Sequence, residues 1–191
     1  TGADRVAYGD FVTLTASIPN APKGVTYQWY RDGKLINGAT DASYTTDTTL
    51  NVGSYTYTVE AAYNGYVAGA SFAVTVESKV IYYTIADGQD KVYDGTSDAA
   101  IVLKGFSTVF TKPEPDVTLD ESAFTVTNVH YVSYKDDKYT ETANVKDAVS
   151  VAYTVTLKDT NYIFEGNTRT QTNYTEAYIT PASINKDGYV T

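Results

Sequence analysis

Few side chains in this sequence could carry out chemistry. There is one histidine, His130, and no cysteine, which leaves no thiol nucleophile and no His/Cys cluster of the kind that binds zinc. A serine–histidine–aspartate triad would have to use His130, yet the sequence contains no nucleophile-elbow motif. Glycoside hydrolysis needs two carboxylates that face each other across a cleft, and no motif marks such a pair. We therefore predict a protein that is not an enzyme and has no cofactor.

Calcium is the metal that the composition leaves open, because 23 acidic residues outnumber 14 basic ones. Calcium prefers the oxygen ligands that loop carboxylates provide. The acidic residues of the second half fall into two groups, which are Asp87, Asp90, Asp94 and Asp98, and then Asp116, Asp120 and Glu121. Neither group has the spacing of an EF-hand, and a solvated acidic surface is the simpler interpretation. We predict no metal site here, with calcium as the alternative.

Tyrosine dominates the aromatic residues, with 19 tyrosines against six phenylalanines and one tryptophan. Exposed tyrosine rings can stack on sugars, although tyrosine also fills strands in all-β proteins. Residues 131–141 read as a polar hairpin with charged residues at its tip. The candidate ligand-binding residues are its three tyrosines, Tyr131, Tyr134 and Tyr139.

The net charge of −9 argues against two classes of partner. Nucleic acids and anionic membranes attract basic surfaces, so we expect neither nucleic-acid binding nor membrane insertion by this segment. The sequence contains no methionine, even at position 1, and we expect a segment of a longer protein. The lack of a signal peptide therefore says nothing about the parent protein. Nothing in the sequence requires an oligomer, and we expect a monomer.

Strand patterns run along the whole chain, and no window of a dozen residues shows the apolar stripe of a helix. Thr, Val and Tyr, which favour strands, are abundant, and Gly, Asn and Asp divide the alternating segments. The dipeptides Asp32-Gly33 and Asn64-Gly65 predict tight hairpin turns. We therefore predict an all-β chain of two tandem immunoglobulin-like β-sandwiches.

The first sandwich is indicated by Trp29, the lone tryptophan, which lies in an apolar alternation. Farther along, Tyr55 and Tyr57 open another strand, and Tyr55 stands where the tyrosine corner of an immunoglobulin domain falls. Ala16 and Tyr57 occupy the places of the two bridging cysteines on either side of the tryptophan. The segment resembles a bacterial immunoglobulin-like domain in which a small residue facing a large one replaces the disulfide.

The second sandwich is indicated by three motifs in order, KVYDGT at 91–96, NYIF at 161–164 and ITPASI at 179–184. They resemble the bacterial surface repeat that is named after its Tyr-Asp-Gly (YDG) motif. The resemblance implies an immunoglobulin-like sandwich in a multi-repeat surface protein. Tight-turn chemistry gives Asp94 and Gly95 a structural role, because Asp94 can bond its own backbone and Gly95 can adopt a positive φ, and we expect Tyr93 to pack inward or to clasp a neighbour. The resemblance implies a structural role for Asn161 and Tyr162 as well.

These patterns predict two domains, 1–77 and 78–191, the second of which runs into the start of a following repeat. The resemblance implies a non-catalytic spacer, such as an adhesin stalk on the bacterial surface or in a secreted protein, with neighbouring repeats as partners. The alternatives are an adhesin module that binds a host glycan or matrix protein, and accessory domains of a polysaccharide-degrading enzyme. An isopeptide crosslink of Lys91 with Asn161 or Asn173 is a further hypothesis, which an unchanged intact mass would exclude.

Overall fold

The computed structural model describes residues 4–183 and divides the chain into two compact units, Thr1–Lys79 and Val80–Thr191. The sequence placed this boundary after residue 77, and a single residue, Ser78, separates the strands on either side of it. Each unit has its own hydrophobic core. Within residues 4–183 no helix has the length and apolar character that crossing a bilayer requires.

From residue 4 onward, the first unit contains seven strands: β1 (Asp4–Ala7), β2 (Thr13–Thr15), β3 (Thr26–Arg31), β4 (Lys34–Leu35), β5 (Ser43–Thr45), β6 (Gly53–Tyr63) and β7 (Tyr66–Glu77). One sheet has the order β1-β7-β6-β3-β4, and β2 pairs with β5 in the other. The first strand runs parallel to the last, with Asp4 opposite Val74 and Ala7 opposite Glu77. Two sheets that face each other across a core in this way form a β-sandwich.

The core of the first unit forms because the strands alternate between apolar and polar residues. Trp29 and Tyr57 are completely buried on neighbouring strands. The Trp29 ring packs against the rings of Tyr44 and Phe72, with centroid distances of 5.9 and 5.6 Å. The Trp29 Nε1–H donates to the Asp41 carbonyl at 2.9 Å, which satisfies its one polar atom.

The hairpins of the first unit turn at the predicted dipeptides. Asp32 and Gly33 connect β3 to β4 with φ angles of 49° and 75°, and Asn64 and Gly65 connect β6 to β7 with φ angles of 46° and 81°. Two successive residues with positive φ define the tight turn whose twist matches that of the flanking strands.

The tyrosine corner is present in the first unit. The Tyr55 hydroxyl donates to the Asn51 carbonyl at 2.8 Å, four residues upstream. Ala16 is half-buried against the core, while the buried Tyr57 ring packs 5.7 Å from the Tyr44 ring. The replacement of a disulfide by Ala16 and Tyr57 stays a prediction, because Tyr44 also fills the space beside Tyr57.

The second part of the chain, as far as residue 183, contains ten strands: β8 (Lys79–Ile81), β9 (Tyr83–Gly88), β10 (Lys91–Val92), β11 (Ile101–Ser107), β12 (Phe124–Lys135), β13 (Lys138–Glu141), β14 (Ser150–Leu157), β15 (Tyr162–Phe164), β16 (Thr170–Glu176) and β17 (Ile179–Thr180). The largest sheet has the order β13-β12-β14-β16, and the pairs β9/β11, β8/β15 and β10/β17 complete the unit. A short 3₁₀ helix, Glu121–Ala123, precedes β12.

The core of the second unit lies between the four-stranded sheet and the β9/β11 pair. Tyr153 and Val155 of β14 are buried there, together with Phe106 of β11. The Tyr153 hydroxyl donates to the Thr84 carbonyl of β9 at 3.2 Å, which ties the two layers together. Burial raises the pKa of Tyr153 to about 12. The predicted all-β class with immunoglobulin-like β-sandwiches is confirmed.

Candidate functional site

The hairpin at 131–141 exists, and its two strands are β12 and β13. Asp136 and Asp137 form its tip with φ angles of 51° and 58°, and Tyr134 lies directly opposite Tyr139 across the pair. Tyr134 is 53% exposed, and its hydroxyl donates to Asp137 Oδ1 at 3.1 Å. Two of the three predicted tyrosines therefore lie together.

The prediction that Tyr131 is a ligand-binding residue is wrong. Its side chain is completely buried, and its hydroxyl donates to the Gln89 carbonyl. Side chains alternate between the faces of a strand, so Tyr131 points into the core while Tyr134 points outward. Burial raises the pKa of Tyr131. Tyr131 lies opposite Val151 of β14. Apolar residues alternate along β14 at Val151, Tyr153 and Val155, and this pattern was the sequence signal that the face shared with Tyr131 is buried.

The exposed face of the four-stranded sheet carries a third tyrosine that the sequence analysis missed. Tyr174 of β16 stacks on Tyr139, with ring centroids 3.7 Å apart and planes inclined by 14°. The Tyr134 ring lies 4.8 Å from Tyr139 at an inclination of 46°. We call Tyr134, Tyr139 and Tyr174 the tyrosine cluster. No local pattern marks Tyr174, because its partners lie on a strand that is distant in sequence.

Ala152 of β14 lies beside Tyr174 on the outer face of this sheet. It stands in register with Tyr174 on one side and with His130 on the other, so the three side chains share a face of the sheet. Ala152 is only 3% exposed although it lies on the outer face. Larger side chains on this face therefore cover Ala152.

The Tyr-Asp-Gly turn is organised around the carboxylate of Asp94. Asp94 Oδ1 accepts hydrogen bonds at 2.9 Å from the Thr96 backbone N–H, the Thr96 hydroxyl and the Lys91 ammonium. The bond from Lys91 and those from Thr96 lower the pKa of Asp94 from 3.8 to about 2. Gly95 has a φ of 84°, the left-handed conformation that glycine adopts without strain.

The Lys91 side chain fastens this turn to the core. Its ammonium also donates to the Thr96 carbonyl at 2.9 Å and lies 5.5 Å from the centroid of the Tyr131 ring. The structure thus surrounds the Lys91 amine with oxygen acceptors, and the Asn173 amide donates to the Gln171 carbonyl. The isopeptide crosslink remains a hypothesis without support from these contacts.

The first and last motifs of the second unit are neighbours in the fold. Strands β10 and β17 pair in parallel, with Lys91 opposite Ile179. The Tyr93 N–H donates to the Thr180 carbonyl at 2.8 Å, and the Thr180 hydroxyl donates to the Lys91 carbonyl at 3.1 Å. Tyr93 is 43% exposed, so its ring does not pack into the core. Ile184, at the end of the third motif, lies outside the described residues.

The Asn-Tyr motif contributes to a turn that Arg169 closes. The Asn161 backbone N–H donates to Asp159 Oδ1 at 2.8 Å. The Arg169 guanidinium donates to three carbonyls, those of Leu157, Asp159 and Tyr162, at 2.8, 2.7 and 3.1 Å. No sequence pattern indicates this role for Arg169, because an arginine that binds backbone carbonyls has no fixed spacing from them.

Among residues 4–183, six aspartates bind backbone N–H groups through their carboxylates. Three of these contacts close local turns between residues two apart, and three join segments that are 8, 24 and 88 residues apart. Carboxylate oxygens accept backbone N–H groups at 2.7–2.9 Å in six pairs, which are Asp32–Thr56, Asp90–Tyr178, Asp94–Thr96, Asp116–Thr108, Asp120–Ser122 and Asp159–Asn161. Hydrogen bonds from Ser122 lower the pKa of Asp120. Within residues 4–183, no group of three or more His, Cys, Asp or Glu side chains is placed to hold a metal ion. His130 is half-buried, and its backbone pairs with Asp98.

No protein-family model and no curated protein matches this chain. Among solved structures it is similar to the titin domains z1z2 in complex with telethonin, at 15% identity and a TM-score of 0.41, covering 95% of this chain and 93% of that one. It is similar to fibronectin(III)-like modules of Clostridium thermocellum CbhA, at 12% identity and a TM-score of 0.34, covering 94% and 90%. The Bacteroides ovatus protein SGBP-B of a mixed-linkage glucan utilization locus, in complex with a heptasaccharide, gives 13% identity and a TM-score of 0.33, covering 94% and 42%. Because these TM-scores lie below 0.5, the fold assignment rests on the strand order, the cores and the tyrosine corner.

Proposed function

We propose that this chain is a structural segment of a larger bacterial surface or secreted protein, and that it transmits tension between its neighbours without catalysing a reaction. The observation that carries this proposal is the parallel pairing of β1 with β7, the first and last strands of the first unit. The neighbours would be further repeats of the same parent protein.

The direction of these two strands determines how a pulling force acts on them. Tension enters β1 at its N-terminal end and leaves β7 at its C-terminal end. Because the strands are parallel, these forces slide one along the other, so the hydrogen bonds of the ladder share the load. An antiparallel pair pulled in this way from one end would instead separate bond by bond. Arg5 of β1 also forms an ion pair with Glu77 of β7.

Single-molecule force spectroscopy on the 191-residue chain, with handles at its two ends, tests this proposal. Proline in β1, as Val6→Pro, disrupts the β1–β7 ladder, and we expect the unfolding force of the first unit to fall by roughly half. The matched control is Leu35→Pro in β4, because β4 is the opposite edge strand of the same sheet. The control should lower thermal stability but leave the unfolding force close to that of the unchanged chain. Equal effects of the two substitutions on the force would contradict the proposal.

The proposed location is the bacterial surface or the surrounding medium. The support is the resemblance of the three motifs in the second unit to bacterial surface repeats, together with the hydrogen bonds that join the first motif to the last. Brief protease treatment of intact cells that make the protein should release peptides of this chain. Release only after lysis would place the protein inside the cell.

Glycan binding is a second candidate function, and the observation that favours it is the tyrosine cluster. Tyr134 and Tyr174 are 53% and 44% exposed on one sheet face, where their rings could pack against a sugar. A glycan array tests it, with the double substitution Tyr134→Ala and Tyr174→Ala expected to abolish saturable binding. Tyr66→Ala is the control, since Tyr66 is 82% exposed in the first unit. A blank array would remove this candidate and leave the structural proposal intact.

A further inference from the structure

The composition of the chain makes tyrosine its main target for one-electron oxidants. Cysteine and methionine, the side chains that oxidants usually attack first, are both absent. The one tryptophan, Trp29, is completely buried. An oxidant that reaches the folded protein therefore meets exposed phenol rings before any other readily oxidised group.

Tyr139 and Tyr174 are positioned to react with each other. Their ring centroids are 3.7 Å apart and their planes are nearly parallel, which is van der Waals contact between the two faces. Tyr174 is 44% exposed, so an oxidant can reach it from solvent. By contrast, the Tyr134 ring is inclined by 46° to Tyr139, and Tyr44 lies 5.7 Å from a completely buried Tyr57.

We propose that Tyr139 and Tyr174 form a site of oxidative crosslinking, at which a peroxidase-type oxidant couples the two rings to dityrosine. Each phenol gives up one electron and its hydroxyl proton, which yields two phenoxyl radicals. The radicals combine in a carbon–carbon bond between ring positions next to the hydroxyl groups. The proton on each joined carbon then moves to the phenol oxygen. Two hydrogen atoms are lost overall, and one hydrogen peroxide is reduced to two waters.

The bond would join the two edges of one sheet. Tyr139 belongs to β13 and Tyr174 to β16, which are the first and last strands of the order β13-β12-β14-β16. The crosslink therefore holds the β12–β13 hairpin against the rest of the sheet and closes a loop of chain in the unfolded state. A covalent loop closure of this kind stabilises a fold mainly by restricting the unfolded chain.

The test treats the purified 191-residue chain with a haem peroxidase and a limiting amount of hydrogen peroxide. We expect an intact monomer that has lost two hydrogen atoms, dityrosine fluorescence, and a crosslinked peptide pair containing residues 139 and 174. The thermal midpoint of the second unit should rise by on the order of 10 °C. Tyr139→Phe and Tyr174→Phe retain the ring stack without a phenol, and each should abolish the intramolecular product. Tyr66→Phe, at the most exposed tyrosine of the first unit, should leave it unchanged.

Three outcomes would overturn the proposal. The first is a product in which residue 139 is joined to residue 134 and which survives Tyr174→Phe. The second is oxidation that yields only dimers, linked through Tyr66 or another exposed tyrosine. The third is an unchanged intact mass although free tyrosine is coupled in the same reaction. None of these outcomes bears on the β1–β7 pairing, so this test and the force measurement can fail separately.

Discussion

Single side chains in this protein hold nearby turns and strand ends in place through their polar atoms. Tyr55 binds the Asn51 carbonyl, and Arg169 binds three carbonyls near the Asn-Tyr motif. The sequence predicted Tyr55 because its partner lies close along the chain and the motif is local. It did not predict Arg169, because an arginine that binds backbone carbonyls has no fixed spacing from them, or Tyr174, because the fold alone brings its partner Tyr139 near. Tyr131 was misplaced because a hairpin that begins in the core was interpreted as polar throughout.

The tyrosine corner can be tested at the level of one atom. Tyr55→Phe removes the hydroxyl and its bond to Asn51 while keeping the ring, and we expect a loss of about 1 kcal/mol in the free energy of unfolding. Urea unfolding followed by Trp29 fluorescence measures this, because the one tryptophan reports on the first unit. Tyr63→Phe, at the exposed end of the β6–β7 hairpin, is the control and should change the free energy by only a few tenths of that amount. An equal change in the free energy of unfolding for both substitutions would show that the hydrogen bond of the tyrosine corner does not stabilise the first unit.

The lowered pKa of Asp94 predicts how the stability of the second unit depends on pH in acid. The pKa of Asp94 is about 2 in the folded protein against an ordinary value of 3.8. A carboxyl whose pKa is lowered by folding stabilises the fold fully at pH values above its pKa in the unfolded chain. This contribution is lost as the pH falls through its pKa in the folded protein. The stabilisation should therefore be complete above about pH 4 and disappear toward pH 2, and it is small because Asp94 is exposed. Thermal midpoints measured over this range should fall less steeply for Asp94→Asn, and an unchanged slope would argue against the prediction.

At the scale of strands, tight turns were predictable and irregular pairings were not. Hairpins at Asp32-Gly33 and Asn64-Gly65 follow from dipeptides with a known preference for positive φ. The bulges in β11 and β12, and the pairing of β10 with β17, leave no comparable local pattern. The same holds for the tyrosine cluster, which depends on contact between side chains from β13 and β16, the two edge strands of the sheet.

The bulge in β11 depends on Gly105. Its φ of 143° is open only to glycine, and a Cβ there would meet the Val117 carbonyl at 2.9 Å and Pro115 at 3.1 Å. We expect Gly105→Ala to destabilise the second unit by about 2 kcal/mol, because the segment around Val117 would have to move away from β11. Urea unfolding followed by far-UV circular dichroism measures the effect. Lys104→Ala is the control next to it and removes only an exposed ion pair with Asp87. Equal decreases in the free energy of unfolding from the two substitutions would show that the close approach of Val117 to residue 105 does not require a glycine.

At the scale of the whole molecule, acidic charge sets how copies of the chain meet. The net charge of −9 makes copies repel one another near neutral pH. The sequence isoelectric point is about 4.5, and there the repulsion vanishes. We expect light scattering to report a monomer at pH 7 and self-association as the pH approaches 4.5. Association that is equally strong at pH 7 would instead indicate a specific interface.

The pairing of β10 with β17 also delays the folding of the second unit during synthesis. The Lys91 carbonyl and the Thr180 hydroxyl that bind each other are 89 residues apart in the chain. At synthesis rates of about 5–20 residues per second, roughly 4 to 18 seconds separate the making of one strand from the making of the other. During that interval β10 lacks its partner. A ribosome, or a secretion channel that releases the chain from its N-terminus, must therefore deliver almost the whole second unit before its Tyr-Asp-Gly segment can take its final place.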